Sequence, residues 1–194
     1  MKLKKWLLAL ATFAVMTVVC AVCAGAETYQ DFEYSALDDG RVKITGYNGG
    51  AETVVIPDTI DGKSVTSIGR RAFEGCTKLT KASISPKLKV MTSMYSKCIN
   101  LKEMPEIPET VYAMDNAFAG DISLTKLSTI PVGVTTIDSC FSDCKKIEGN
   151  ITINATPSSY NSCFNNAAVA TKVNIVGQCK NAVLIATTAT NNPL

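Results

Sequence analysis

The feature that most constrains this chain is an aromatic residue that recurs at nearly constant intervals. Its spacings are 22, 23, 23 and 23 residues, at Phe73, Tyr95, Phe118, Phe141 and Phe164. Each aromatic stands in a similar phrase, and the clearest copy of that phrase covers residues 134–147. A unit this short cannot bury an apolar face alone, so the repeat predicts a solenoid in which each coil stacks on the next.

Three further columns of residues keep the same register. Three residues after the aromatic come Cys76, Cys98, Asp121, Cys144 and Ala167. Six residues after it come Leu79, Leu101, Leu124, Ile147 and Ala170. Eleven or twelve residues after it come Ile84, Ile107, Ile130, Ile153 and Ile175. The segments that begin at Leu79 and Leu124 have the L-x-x-L-x-L rhythm of a leucine-rich repeat strand.

These columns predict a repeat solenoid of the leucine-rich-repeat type. We expect about five coils of 22–23 residues, whose strands stack into a parallel sheet. Proline, glycine, serine and asparagine, which favour turns, recur along the repeats, so short turns or single helical turns should connect the strands. The fold is therefore expected to be mainly β.

The phrase at residues 65–79 follows the pattern V-x-x-I-x-x-x-A-F-x-x-C-x-x-L, and it resembles the BspA-type leucine-rich repeat. The lead-in residues Thr45-Gly46-Tyr47 and Ile60-Asp61-Gly62 are also similar to that family. The resemblance covers roughly residues 31–176. It implies a secreted or surface-displayed bacterial protein that binds an extracellular or host protein, or another cell surface, without catalysis.

The first 26 residues have the layout of a secretory signal peptide. Three lysines precede an apolar run from Trp6 to Val22, and Ala24-Gly25-Ala26 follows it. This pattern predicts cleavage after Ala26. An uncleaved membrane anchor is the alternative, but the run is shorter than the roughly 20 residues of a comfortable span. We expect a secreted or cell-surface protein with no transmembrane segment after cleavage.

The rest of the chain divides into three parts. In residues 27–64, apolar residues alternate on both sides of Asp39-Gly40, which predicts a hairpin that caps the first coil, followed by a first strand. The leucine-rich repeats occupy residues 65–176. Residues 177–194 are interpreted as an incomplete last coil and a flexible tail.

The charge balance and the missing histidine narrow the function. The chain has 19 basic and 17 acidic residues, and without the three signal lysines it has 16 and 17, so nothing attracts nucleic acid. With no histidine there is no Ser-His-Asp or Cys-His arrangement. Glu103 and Glu106 could serve glycoside hydrolysis in principle, but are interpreted as solvated charges. We expect no catalytic residue, metal site or cofactor.

Six cysteines lie outside the signal segment. Cys76, Cys98 and Cys144 occupy the cysteine column of the repeat and are interpreted as small buried residues. Cys140 and Cys163 replace the alanine before the aromatic in consecutive coils, so their Cα atoms should be about 4.8 Å apart, within reach of a disulfide. Both a Cys140–Cys163 bridge and two free thiols remain open.

The non-core positions of the predicted strands form a candidate binding face. They are Lys81, Ser83, Lys102, Glu103, Lys126, Ser128, Glu148, Thr152, Lys172 and Asn174. The face is mixed in charge and has no aromatic ring, which favours a polar protein-binding surface over sugar stacking; a merely solvated face is the alternative. A second hypothesis is self-association, in which the solenoid end near Val183-Leu184-Ile185 pairs with another chain.

Overall fold

The protein is described from a computed structural model, which covers residues 27–147, 149–167 and 173–176. The predicted signal peptide and the predicted tail at residues 177–194 lie outside these ranges. The described strands are β1 (Glu27–Tyr29), β2 (Phe32–Ala36), β3 (Val42–Tyr47), β4 (Thr53–Val54), β5 (Thr59–Ile60), β6 (Lys63–Ile68), β7 (Lys81–Ala82), β8 (Gly149–Thr152) and β9 (Val173–Val176). We number the coils by their aromatic residues, from Phe73 in coil one to Phe164 in coil five. Each coil begins eight or nine residues before its aromatic, so coil one is residues 64–86, coil two 87–109, coil three 110–132 and coil four 133–155.

The N-terminal part is a five-stranded sheet in the order β1-β2-β3-β6-β5. Strands β2 and β3 pair antiparallel, as expected from the alternation of apolar residues around Asp39-Gly40. Strand β6 then pairs parallel with β3 and antiparallel with β5. The turn between β5 and β6 is Asp61-Gly62, with φ of 49° and 74°, the left-handed geometry that a two-residue hairpin turn requires.

The recurring aromatics form one stack through the core. All five are fully buried, and the centroids of successive rings are 5.3, 5.8, 5.8 and 5.2 Å apart from Phe73 to Phe164. At the N-terminal end, Tyr47 of β3 stacks on Phe73 at 5.4 Å. Aromatic pairs at such distances stabilise beyond the area they bury. Phe32 of β2 lies 5.2 Å from Tyr47, centroid to centroid, so the hairpin supplies the rings at that end of the stack.

The residues around each aromatic form turns in the described coils. The turns are closed by bonds between residues three apart, such as Cys144 N–H to Phe141 C=O (3.2 Å). Two positions in each turn have positive φ. They are Arg71, Ser93, Asn116, Ser139 and Ser162 at the first position, and Gly75, Lys97, Gly120, Asp143 and Asn166 at the second. Most are not glycine, so bonds to the neighbouring coil must hold an unfavourable backbone geometry.

Short parallel contacts join one coil to the next. Strands β4 and β7 pair in parallel, as do β8 and β9. Elsewhere the contacts are single parallel bridges, for example Val90 to Ala113 and Ala113 to Thr136. The expected parallel sheet is thus present as short pieces in the described residues, and most inter-coil bonds come from turns and isolated bridges.

The cysteine column also ties the coils together. The thiols of Cys98 and Cys144 are buried and lie 3.1 Å from the carbonyls of Phe73 and Phe118 in the preceding coils. Cys140 and Cys163 are fully buried free thiols in the structure, so the disulfide considered above is not formed in it. Both side chains point into the core, and their pairing under oxidising conditions stays a prediction.

Candidate binding site

Some residues of the predicted face form a charged surface, and others form hydrogen bonds to neighbouring segments of the chain. Its four charged residues that the structure describes are exposed: Lys81, Lys102, Glu103 and Lys126. Ser83, Ser128 and Thr152 are half-buried. Glu148 and Lys172 lie outside the described residues, and Asn174 is known only by its backbone pairing with Asn150.

A ladder of alternating charge crosses three successive coils. Glu103 and Lys126 are partners in a parallel bridge, and Lys126 Nζ lies 2.8 Å from Glu103 Oε1. The hydrogen bond from Lys126 and then its charge lower the pKa of Glu103, with a smaller contribution from Lys81. The same bond raises the pKa of Lys126. Because these groups are exposed, the ladder shapes the surface potential more than it stabilises the fold.

The serines of the face are engaged with backbone. Ser83 Oγ accepts the Ile56 N–H at 3.2 Å, and Ser128 Oγ donates to the Pro105 carbonyl at 2.7 Å. Their hydroxyls therefore position neighbouring segments. Among the described residues of the predicted face, the four charged side chains are the exposed ones.

A cavity of about 390 Å³ opens beside this ladder, between coils one and two. It is lined by residues 81–84 of coil one and 103–106 of coil two. The two lining segments are paired with different neighbours. Lys81 of coil one pairs with Thr53, whereas Glu103 of coil two pairs with Lys126 of coil three.

The cavity coincides with a difference in which side chains are buried. Met104 and Ile107 are buried in coil two, and the buried residues at the same spacing in coil one are the smaller Ala82 and Ser85. Ile84, the isoleucine of coil one, is only half-buried. The floor of the cavity is apolar, with Ala82, Ile84, Met104 and Pro105, and its rim carries Lys81, Glu103 and Glu106.

Glu103 on the rim of this cavity lacks the pKa that an acid catalyst of glycoside hydrolysis requires. A glycosidase needs one carboxyl whose pKa is raised so that it can act as an acid. The pKa of Glu103 is lowered instead. In the described ranges, no three residues of the metal-ligating types come together as a metal site would require.

The sequence identified Lys81, Ser83 and Glu103 but not the cavity that they line. Met104 and Pro105 lie in its floor, and Glu106, interpreted above as a solvated charge, lies on its rim. The available signal was the isoleucine column, which lies eleven residues after Phe73 but twelve after Tyr95. The self-association surface predicted at Val183-Leu184-Ile185 lies outside the described residues. Among the residues described, no helix is both long and apolar enough to span a bilayer.

Comparisons with known proteins agree with the repeat. Residues 112–183 match the BspA type leucine rich repeat region, in six copies. No curated protein matches the chain. The fold is similar to that of a leucine rich repeat protein of T. pallidum, with a TM-score of 0.61 and 24% identity over 71% of this chain and 67% of that one. It is also similar to a leucine rich cell surface protein of Faecalibacterium prausnitzii, with a TM-score of 0.53 and 19% identity over 82% of this chain and 56% of that one.

Proposed function

With residues 112–183 established as a BspA-type leucine-rich repeat region, we propose that the chain is a non-catalytic binding module that is secreted or held at the cell surface. Its partner in this proposal is an extracellular or host protein, or a component of another cell surface. The binding site is the charged ladder of Lys81, Glu103 and Lys126 together with the cavity beside it.

The observation that carries the proposal is the cavity between coils one and two. It combines an apolar floor with separate positive and negative groups on the rim, as sites that fix the orientation of a ligand usually do. The Glu106 carboxylate is exposed and forms no salt bridge in the described part of the chain. An arginine or lysine of a partner protein fits this position, with its aliphatic stem on Met104 and Pro105.

The location rests on two further points. The first 26 residues have the pattern of a secretory signal. One protein of similar fold, from Faecalibacterium prausnitzii, is described as a cell surface protein. Leucine-rich repeat proteins are typically non-catalytic, and their broad repeated faces are commonly used for binding.

The test is a binding screen of residues 27–194 on an array of purified extracellular-matrix proteins and glycans. The face variant carries Lys81→Glu, Lys102→Glu and Lys126→Glu. A matched control carries Lys63→Glu, Lys145→Glu and Lys146→Glu, three exposed lysines away from the face, and has the same change in net charge. A third variant, Glu106→Lys, tests the rim of the cavity.

Saturable binding that the face variant and Glu106→Lys lose, and that the control keeps, would support the proposal. Equal loss in the face variant and the control would mean that net charge alone governs binding. Equal retention in all three variants would place binding elsewhere on the molecule. Either of these last two results would overturn the assignment of the site.

A further inference from the structure

A second opening between coils one and two lies apart from the strand-face cavity. Its volume is about 410 Å³, and it is bounded by residues 66–68 of β6, by residues 87–90 of coil two, and by Leu37 and Arg41 of the hairpin. Ile68 and Leu88 are buried in its floor. Lys87 and Lys89 are exposed at its rim.

This opening interrupts a series of backbone hydrogen bonds that is regular elsewhere. Tyr112 N–H bonds to Lys89 C=O, Thr135 N–H to Tyr112 C=O, and Ser158 N–H to Thr135 C=O, each at 2.9 Å. Lys89 N–H occupies the same place in coil two, and it has no such bond to coil one among the described residues.

The carbonyl of the next residue, Val90, also lacks a bond from coil one among the described residues. The carbonyls of Ala113, Thr136 and Ser159 each accept an N–H from the coil before them, at 2.9 Å. Val90 C=O is the equivalent group of coil two, and no described residue of coil one donates to it. In coil one, Gly69 N–H, on the residue after Ile68, bonds to Ile44 C=O of β3 at 2.6 Å.

An extra residue in coil one accounts for the interruption. Ile68 and Phe73 are five residues apart, whereas Met91 and Tyr95 are four apart. The added residue follows the segment of coil one, β6, that pairs with β3 of the hairpin. Lys89 N–H and Val90 C=O thus belong to adjacent residues that line the groove, and neither bonds to coil one among the described residues. Backbone groups in such a position require partners.

The charges at the groove have one sign. Its lining contains three basic side chains and no acidic one. Arg41 is already paired with Asp39, but neither Lys87 nor Lys89 forms a salt bridge in the described part of the chain. An acidic partner would be attracted and oriented by these two ammonium groups.

We propose that this groove docks an extended acidic peptide segment of a partner protein. The segment adds its backbone to the exposed edge at Lys89 and Val90, as in β-strand addition. Its carboxylates face Lys87 and Lys89, and an apolar side chain between them lies on Ile68 and Leu88. The alternation of acidic and apolar residues follows from the twofold period of an extended strand.

The test uses an acetylated and amidated peptide of alternating glutamate and valine, six residues long, with ¹⁵N-labelled protein. We expect saturable shifts of the Lys89 and Val90 amide signals. Lys87→Glu with Lys89→Glu should weaken binding by at least about tenfold, while Lys63→Glu with Lys146→Glu should leave it unchanged. Methylation of the peptide backbone nitrogens should abolish binding, because it removes the donors that pair with Val90 C=O.

Three results would overturn the proposal. One is equal binding of a lysine–valine peptide, which would exclude charge recognition. Another is displacement of the peptide by inorganic phosphate at equal affinity, which would indicate a simple anion site. The third is binding of vesicles containing phosphatidylglycerol through the same lysines with no response to the peptide, which would make the groove a membrane contact.

Discussion

At the scale of single residues, Asp121 is the carboxylic acid in the cysteine column. It is fully buried, and its Oδ1 accepts the Cys98 N–H at 2.8 Å, while Oδ2 has no hydrogen-bond partner. Burial raises the pKa of Asp121 to about 9. The carboxyl therefore behaves as a neutral, polar replacement for a thiol in a tightly packed turn.

This carboxyl makes stability depend on pH. Its folded-state pKa lies above the value of about 3.9 in an unfolded chain, so the folded state binds the proton more tightly. Its contribution is fully present below about pH 4 and is lost as pH rises toward 9. Relative to Asp121→Asn, the free energy of unfolding should fall by up to about 4 kcal/mol between pH 5 and pH 8.

Urea unfolding of both proteins at pH 5, 6.5 and 8 measures this difference. The Cys98 and Cys144 thiols, which flank the carboxyl in the same column, are present in both proteins and cancel in the comparison. Parallel pH profiles of the wild type and Asp121→Asn would contradict the account, because they would show that Asp121 does not bind the proton.

The cysteines should differ in reactivity. Cys76 is half-buried, and a hydrogen bond with the Cys98 thiol lowers its pKa. Burial raises the pKa of Cys140 well above the usual value. Because the thiolate is the reactive form, iodoacetamide should label Cys76 first and leave Cys140 and Cys163 unlabelled until the protein unfolds. Peptide mass spectrometry checks this order, and early labelling of Cys140 would contradict it.

At the scale of elements, the aromatic stack is the main support of the coils. The ring centroid of Phe118 lies 5.8 Å from those of Tyr95 and Phe141, and the side chain is fully buried. Phe118→Ala should lower the free energy of unfolding by about 3–5 kcal/mol, since it removes a large core side chain and leaves a cavity. The measurement is denaturant unfolding.

A matched control for this change is Tyr112→Ala in the same coil. Tyr112 is 49% exposed, so its removal should cost within about 0.5 kcal/mol. Similar losses in the two variants would show that the stack does not carry the fold.

Much of the element pattern follows from the sequence. The hairpin of β2 and β3 was predictable because its buried residues alternate with a period of two. Strand β1 was not predicted, because its three residues show no buried side chain to mark them. The left-handed turns were missed because serine, asparagine and lysine take positions where glycine is the usual signal.

The candidate site was predictable only in part. Exposed residues such as Lys81 and Glu103 follow from their place beside the leucine column. The two openings between coils one and two do not, because they depend on how coil one packs. Small buried side chains, Ala82 and Ser85, lie beside the first opening, and β6 pairs with β3 of the hairpin beside the second.

At the scale of the molecule, the first two coils are joined differently from the others. Tyr47 of the hairpin stacks on Phe73, and β6 of coil one pairs with β3 of the hairpin. Coil two is joined to coil three by the regular backbone pairing, which includes the parallel bridge from Val90 to Ala113. The junction of coils one and two therefore keeps its aromatic core but opens on two flanks, and both proposed binding sites lie there.

Hydrogen–deuterium exchange of single backbone amides tests this account most directly. Tyr112 N–H and Thr135 N–H are bonded to the preceding coil at 2.9 Å, whereas Lys89 lines the opening and its N–H has no such bond among the described residues. The account predicts that Lys89 exchanges at least about tenfold faster than Tyr112 and Thr135 after correction for intrinsic rates. Equal protection of the three amides would mean that coils one and two are joined at Lys89 as regularly as the later coils, and it would contradict the opening on which the peptide-docking proposal depends.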